Sequence, residues 1–289
     1  DAVVTGHTGA FGLMGDDYLS RLCIAIRDAY ACSNFRVHGR LVDVNSPPSE
    51  LYVGFGIHAA AFATEVHAGR MAELAGEDPS VWRIRHLRSK KNGAVSELAS
   101  LIDSVTSRSD FHRKYAAYEM QKKRRTQIEV SDLLLRGVGI AKTDTYGGFL
   151  GGNAPVNASV GIRIDSDGNA ELATSSPLSG RTPQSVLQRV AANALGVSVE
   201  SISLKEKTTG IVPDSGPSIL GHDLAVNARL VRLCAESLNR RRFREPLPLE
   251  ESRSARRKPK KQWDPATLSG DPSLGNAGAA MVVEVEVDP

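Results

Sequence analysis

Cysteine is scarce in this chain, and the three present, Cys23, Cys32 and Cys234, are odd in number and lack CxxC spacing. That pattern argues against a disulfide framework and offers no structural zinc or iron–sulfur site, so a reducing, cytoplasmic setting is expected. Long apolar runs are missing too. No stretch approaches the roughly 18–20 residues needed to span a bilayer, and the start at Asp1 has no basic segment leading into an apolar one, so neither a membrane span nor a secretion signal is expected. Compact catalytic motifs are also lacking: there is no phosphate loop, no GxSxG elbow and no HExxH helix. The seven histidines are scattered. His58 and Glu65 share a helical face, but no third ligand stands at suitable spacing, and Glu65 is expected to pair with a nearby arginine such as Arg70 or Arg83.

What is present is enough chain, 289 residues, for two modest domains or for one segment of a larger one. Charge is unevenly spread. Arg240 to Lys261 holds ten Lys and Arg against three Glu, an excess larger than the whole-chain net charge of +3. Pro246, Pro248 and Pro259 interrupt it, and its reading is a solvated loop between a long helix and the final strand. Aromatic residues are sparse there, with Phe243 inside and Trp263 beyond, so nucleic-acid binding is not expected.

Periodicity gives helices over 16–31, 57–75, 94–105 and 110–123, with a strand over 35–44. Asp78-Pro79 places a capping carboxylate before a proline at the first helical position and opens a further helix. The helix over 110–123 ends in the basic run Lys122 to Arg125, which suits a helix C-terminus. Beyond Leu133 strands prevail, over 138–141, 159–164 and 170–174, with Asp167-Gly168 as a hairpin turn. A helix over 183–195 stops at Gly196, a short strand covers 201–205, and a long helix covers 220–242. The fold class is therefore α+β, with a helix-rich part over 1–126 and a mixed part over 127–289. Met281 to Asp288 alternates as a strand with valines on one face, and no partner strand follows it. A fragment, or a protein completed by another chain, is expected on that ground.

The stretch from Asn45 to Leu87 carries a resemblance to a known family. Asn45, Pro47 and Pro48, then Gly54, Phe55 and Gly56, then Glu65, Gly76, Asp78, Pro79, Arg83 and Leu87 follow in order. This series resembles the molybdopterin-binding large subunit of the molybdenum hydroxylases, the xanthine dehydrogenase and aldehyde oxidase family. The second half continues it. Gln188, Ala191, Ala192, Leu195, Gly196, Val197, Glu200 and Ile202 match one family segment, and Pro213 to Pro217 another, with Ser218 in place of threonine.

The resemblance implies a molybdenum–molybdopterin cofactor, contacted by Gly54, Phe55, Gly56, Gly180, Arg181, Ser218 and Gly221. It implies oxidative hydroxylation of an aldehyde or N-heterocycle, with water supplying the oxygen. Partners would be iron–sulfur and flavin domains or subunits and the remaining parts of the large subunit, with homo-oligomerisation left open. Several positions depart from the family. Val53 stands where the family has a substrate-orienting arginine, Ala59 where it has glutamine, and Ser179-Gly180-Arg181 where it has Gly-Gln-Gly. Gly221 and Asp223 stand where hydroxyl residues are expected, and an aspartate would repel a phosphate. The family's glycine-rich cofactor segment and its Gly-x-Gly-Glu general base are placed outside this chain. The competing reading is therefore a non-catalytic homologue, a scaffold or assembly partner with an altered pocket.

Overall fold

The computed structural model describes residues 1–10, 12, 14–49, 54, 56–88, 97–125, 134–147, 157–175, 180–206, 208, 215, 222–256, 263–264, 269–270 and 275–288. The chain divides into two compact units, Asp1–Thr145 with Asn276–Pro289, and Tyr146–Gly275.

The first unit opens with a strand, β1 (Ala2–His7), a helix, α1 (Gly15–Asp28), and a second strand, β2 (Val37–Val42). β1 and β2 run parallel, pairing from Ala2↔Val37 to His7↔Val42, so α1 is the crossover of a β–α–β unit. Close packing of helix on strand requires a missing side chain: a Cβ on Gly39 would lie 2.9 Å from Cys23 Sγ and 3.1 Å from Leu19. Then come α2 (Ile57–Ala75) and α3 (Pro79–His86). Gly76, with φ +65°, ends α2, and its N–H bonds back to Ala72 and Glu73. The Asp78 side chain accepts from the Ser80 and Val81 amides to start α3.

Helices α4 (Glu97–Ser109) and α5 (Phe111–Arg125) pack on a two-stranded sheet formed by β3 (Leu135–Gly147) and the last strand, here β10 (Gly275–Val287). Ile102, Phe111 and Ile140 are the buried centre, with Val138 and Val282 against them. The final strand thus has its partner earlier in the chain, in β3, rather than awaiting one that follows. Glutamates on its helix side are held in place: Glu284 takes Lys114 at 2.6 Å, and Glu286 takes Arg136 at 2.6 Å.

The second unit is built on a four-stranded sheet of order β6-β5-β4-β7, made of β4 (Asn157–Ile164), β5 (Ala170–Thr174), β6 (Ile202–Leu204) and β7 (Leu249–Arg256). β4 and β5 form an antiparallel hairpin whose turn is fixed by Asp165, accepting from the Asp167 and Asn169 amides at 3.0 and 2.8 Å. Helix α6 (Arg181–Leu195) carries the chain from β5 to its parallel neighbour β6. Helix α7 (His222–Arg241) packs beside α6 and across β4 and β7. Leu187, Ala191 and Leu195 of α6 recur at helical spacing, as do Val231, Cys234, Ala235 and Leu238 of α7, and all are buried. They meet Val160, Ile162 and Leu172 of the sheet in one continuous core. Two short strands, β8 (Trp263–Asp264) and β9 (Ser269–Gly270), pair with each other.

β7 corrects the expectation of a loop throughout 240–261. From Leu249↔Ile164 to Arg256↔Asn157 it pairs with β4 as an edge strand. Charge on an edge strand blunts it against further pairing, so its composition resembles that of a loop. Here the charges also pair locally, Arg241 with Glu245 at 2.8 Å and with Glu251 at 3.2 Å, and Arg253 with Glu251 at 3.0 Å.

Candidate functional site

In the first unit two glycine-bearing segments and a Pro-Pro turn lie about the N-terminal ends of α1 and α2. The β1–α1 turn is stitched to the Asn45–Pro48 turn by the Ala10 amide donating to Ser46 O and the Ser49 amide donating to Thr8 O, both at 3.0 Å. Gly9 has φ +78°, and any side chain on it would run into the carbonyl of Pro47. Gly12 and Gly15 close on the Thr8 side chain. Sequence reasoning gives this turn no weight and places the family's glycine-rich segment outside the chain. The recurrence of Gly6, Gly9, Gly12 and Gly15 at every third residue, after a short apolar strand, is the signal that could have found it.

The bend at Gly54 and Gly56 is the third segment. Both have positive φ, +90° and +87°. A Cβ on Gly56 would lie 3.1 Å from Tyr18 O and 3.3 Å from Leu22 Cβ, so the bend rests directly on α1. Gly56 is also the N-cap of α2, where no side chain caps the helix and no acidic residue lies in the first turn. The Ile57 amide bonds the Gly54 carbonyl at 3.1 Å, and without a side-chain cap or an acid the start of α2 remains an electropositive end able to face an anion. Ala59 is exposed in that first turn, while Val53 and Phe55 lie outside the described residues.

Behind this end, Glu65 of α2 is the hub of a buried network. Its carboxylate accepts from the Tyr30 hydroxyl at 2.5 Å, from Arg83 Nε at 2.8 Å and from the Lys142 amide at 3.0 Å. Arg83 is 2 % exposed and also donates to the Glu65 and Pro79 carbonyls. Lys142 Nζ bonds the Ala29 carbonyl and lies 4.4 Å from the centre of the Tyr30 ring. Burial, with Glu65 beside it, pushes the Tyr30 phenol far up, and burial pulls the Lys142 ammonium down. Of the two expected arginine partners, Arg83 takes Glu65, whereas Arg70 pairs with Glu73 at 2.5 Å. With these donors on its carboxylate, Glu65 ties α2, α3 and β3 to the segment that follows α1, and among the described residues no group of three His, Cys, Asp or Glu could hold a metal.

In the second unit, Gly180 and Arg181 stand at the start of α6. Gly180 is the N-cap, with φ +83°, no side chain caps the helix, and its first turn contains no acid. Arg181 is exposed there, so this start is doubly suited to an anion. The start of α7 is different. Asp223 sits in its first turn and is 3 % exposed. Just inside, Thr174 donates to Asn227 Oδ1 at 2.8 Å, and Asn227 Nδ2 donates to the Asp223 carbonyl at 2.8 Å, tying the helix to the end of β5. The sequence reading missed this polar tie, whose only trace is the four-residue spacing of Asp223 and Asn227. Ser218 and Gly221 lie outside the described residues. Gly54 and Gly56 thus belong to the first unit, and Gly180 and Arg181 to the second.

A cavity of about 590 Å³ beside α5 and β3, lined by Tyr115, Tyr118, Lys122, Arg136 and Val138 among others, holds none of the expected site residues. Among the described residues no helix is long and apolar enough to cross a membrane.

Two family models, each described as a molybdopterin cofactor-binding domain, match residues 1–87 and 107–247. The chain is similar to xanthine dehydrogenase of Drosophila pseudoobscura pseudoobscura, 26 % identical over 80 % of this chain and 17 % of that protein. It is also similar to the nicotinate dehydrogenase large molybdopterin subunit of Eubacterium barkeri, 32 % identical over 34 % of this chain and 23 % of that subunit. Among solved structures, the aldehyde oxidoreductase of Desulfovibrio gigas superposes with a TM-score of 0.74 at 21 % identity, over 99 % of this chain and 33 % of that one. The chain therefore spans a third or less of the length of each of these relatives.

Proposed function

The chain belongs to the molybdopterin cofactor-binding domain family, and on that premise we propose that it forms the cofactor-holding part of a molybdenum hydroxylase. The reaction of the assembled enzyme would be oxidative hydroxylation of an aldehyde or N-heterocycle, with electrons leaving through iron–sulfur and flavin companions. The observation that carries this reading is a pair of acid-free helix starts without side-chain caps, Gly56 of α2 and Gly180-Arg181 of α6, at positions expected to contact the cofactor.

A dithiolene pterin with a phosphate tail is anionic, and each of those starts, taken by itself, suits an anionic group: backbone amides, and at α6 an arginine, can neutralise charge. Gly54, Gly56, Gly180 and Arg181, with Phe55, Ser218 and Gly221, are the residues that the family resemblance implies as its contacts. When bound, the group supplies the metal centre at which water is activated and the substrate oxidised. The role of this chain's residues is to bind and orient. Molybdenum and pterin content per chain, in material purified natively with its partners, tests the reading. Near-stoichiometric amounts are expected, and the absence of both would overturn it.

A second reading, a non-catalytic homologue, is favoured by one observation. Asp223 puts a buried carboxylate in the first turn of α7, where a phosphate would otherwise find an electropositive end. On that reading, Val53→Arg in the assembled complex yields no hydroxylase activity, and measurable turnover of a heterocycle would count against it.

A further inference from the structure

The cavity of about 590 Å³ beside α5 and β3 lies within the first unit, and its size falls in the range of roughly 300–1,000 Å³ that small-molecule sites occupy. None of the residues expected to contact the cofactor lines it. Its aromatic walls are braced. Tyr115 stacks on the buried Phe111 with ring centroids 5.6 Å apart, and the Tyr118 hydroxyl donates to Glu284, whose carboxylate also takes Lys114. Two rings held in this way give a flat ligand a surface that needs no further ordering.

Another wall is a strand edge, β3 from Leu135 to Val138. Alternate residues of a strand point their N–H and C=O groups to the same side. The Lys142 amide donates to the Glu65 carboxylate, and the Leu134 carbonyl accepts from Gln121 Nε2 at 3.3 Å, so the even-numbered backbone groups of this strand face away from β10. Those of Arg136 and Val138 therefore point to the open edge, beside the cavity, and among the described residues none of them is hydrogen-bonded. Gly137 and Gly139 flank Val138, and glycine within a strand often marks a place where a ligand comes close to the backbone.

The open stretch is short. The next residue on that side, Ile140, is almost wholly buried, and Gln121 and Glu65 close the edge at Leu134 and Lys142. An added peptide strand, of about five or six residues, needs a longer edge than this. The Arg136 carbonyl and the Val138 amide, on one side and two residues apart, instead match a ring that carries a donor next to an acceptor. The charges at the cavity are already matched, Arg136 by Glu286 at 2.6 Å, and Lys122 by Glu73 at 3.3 Å and Glu119 at 3.8 Å. A neutral ligand leaves those pairs intact, whereas an ion would have to compete with them.

We propose that this cavity is a binding site for a neutral, planar heterocycle that carries an N–H beside an acceptor, as a cyclic amide does. Its ring lies against Tyr115 and Tyr118, and its polar edge on the Arg136 carbonyl and the Val138 amide. The site makes no use of the cofactor and stands independently of the reading given above.

Protein-observed NMR of the isotope-labelled full chain, titrated with oxindole and separately with N-methyloxindole, tests it. Oxindole should shift the amide of Val138 and those of its neighbours. N-methyloxindole should bind at least about tenfold more weakly, because it leaves the Arg136 carbonyl without a donor. Tyr118→Phe, which keeps the ring, should bind oxindole as the parent does, and Tyr118→Ala about tenfold more weakly. The same spectra show whether each variant is folded, and if Tyr118→Ala is not, the comparison of the two probes on the parent decides. Equal affinity for the two probes overturns the proposal. So does a shift at the starts of α2 and α6 with none at Val138, which would put oxindole at the expected cofactor contacts. Larger shifts at Arg136 and Val138 from a capped tetrapeptide of alternating valine and tyrosine than from oxindole would make this a strand-binding edge and overturn it too. No shift with oxindole overturns it and leaves the cofactor reading standing.

Discussion

Glu65 shows how a single carboxylate can organise three elements and a connecting segment. Breaking a buried, hydrogen-bonded pair leaves a charge without compensation, so Glu65→Ala should cost about 3–5 kcal/mol in urea unfolding. The pairing of Glu65 with Arg83 at 2.8 Å, both nearly buried, makes a second change informative. Adding Arg83→Met to Glu65→Ala should recover part of that loss, because no cation then remains to be buried alone; a double variant less stable than the single would show that the arginine stabilises by other contacts. Asp78 contributes in a different way. Burial acts to raise its carboxyl, but hydrogen bonds from Ser80, His112 and the Ser80 and Val81 amides bring it below its ordinary value. A depressed carboxyl stabilises fully above the unfolded-state value near about 3.9 and loses that contribution as pH falls through the lower folded value. Asp78→Ala should therefore lower stability by about 1 kcal/mol at pH 7, and by progressively less as the pH is taken below about 4. A loss that stays the same at pH 3 would exclude the capping charge as the cause.

Among the elements, the starts of α2, α6 and α7 divide the family's expected anion contacts into two kinds. Arg181→Gln at α6 should reduce retention of molybdenum and pterin through dialysis severalfold with no change in thermal midpoint, since Arg181 is exposed and its contribution is to ligand charge. A lowered midpoint with full retention would make Arg181 a structural residue. Most of this layer was legible in the chain itself. Helix α2 over Ile57–Ala75 and strand β5 over Ala170–Thr174 occupy the expected spans, because Gly76, Asp78-Pro79 and the Asp167-Gly168 turn state their boundaries in local chemistry. β1 was not legible, since Ala2–His7 is short and its pairing with β2 is made across the whole of α1. β7 was hidden by its own charges, and its identity comes from β4, far away in sequence. At the site, Pro47, Pro48, Gly54 and Gly56 could be read because their backbone roles are local, whereas Gly9, Gly12 and Gly15 were not. The Thr174–Asn227 tie could not be read, because its importance arises only from what burial places beside it.

On the scale of the whole molecule the two units are stabilised by different means. The second has one continuous apolar core running from Val160 and Ile162 through Leu172 to Leu187, Leu195, Val231 and Leu238. In the first, the apolar centre of α4, α5 and β3 is small, and α2, α3 and the segment after α1 are joined to β3 by the polar network on Glu65. Apolar burial stabilises in proportion to area, whereas a buried polar network stabilises only while every member is satisfied. The first unit should accordingly open at lower free energy, with amide exchange in α1–α3 faster than in β4 and β5 under native conditions. Glu65→Ala then discriminates between independent units and a single cooperative one. If the units are independent, the substitution raises exchange in α1, α2, α3 and β3 and leaves the amides of Val160, Ile162 and Leu172 protected as before. Exchange that rises by the same factor in β4 and β5 would mean that the Glu65 network supports the whole chain. In that case a variant changed only at Glu65 would also lose anion binding at Arg181, a residue of the other unit, and titration with pyrophosphate would detect that loss.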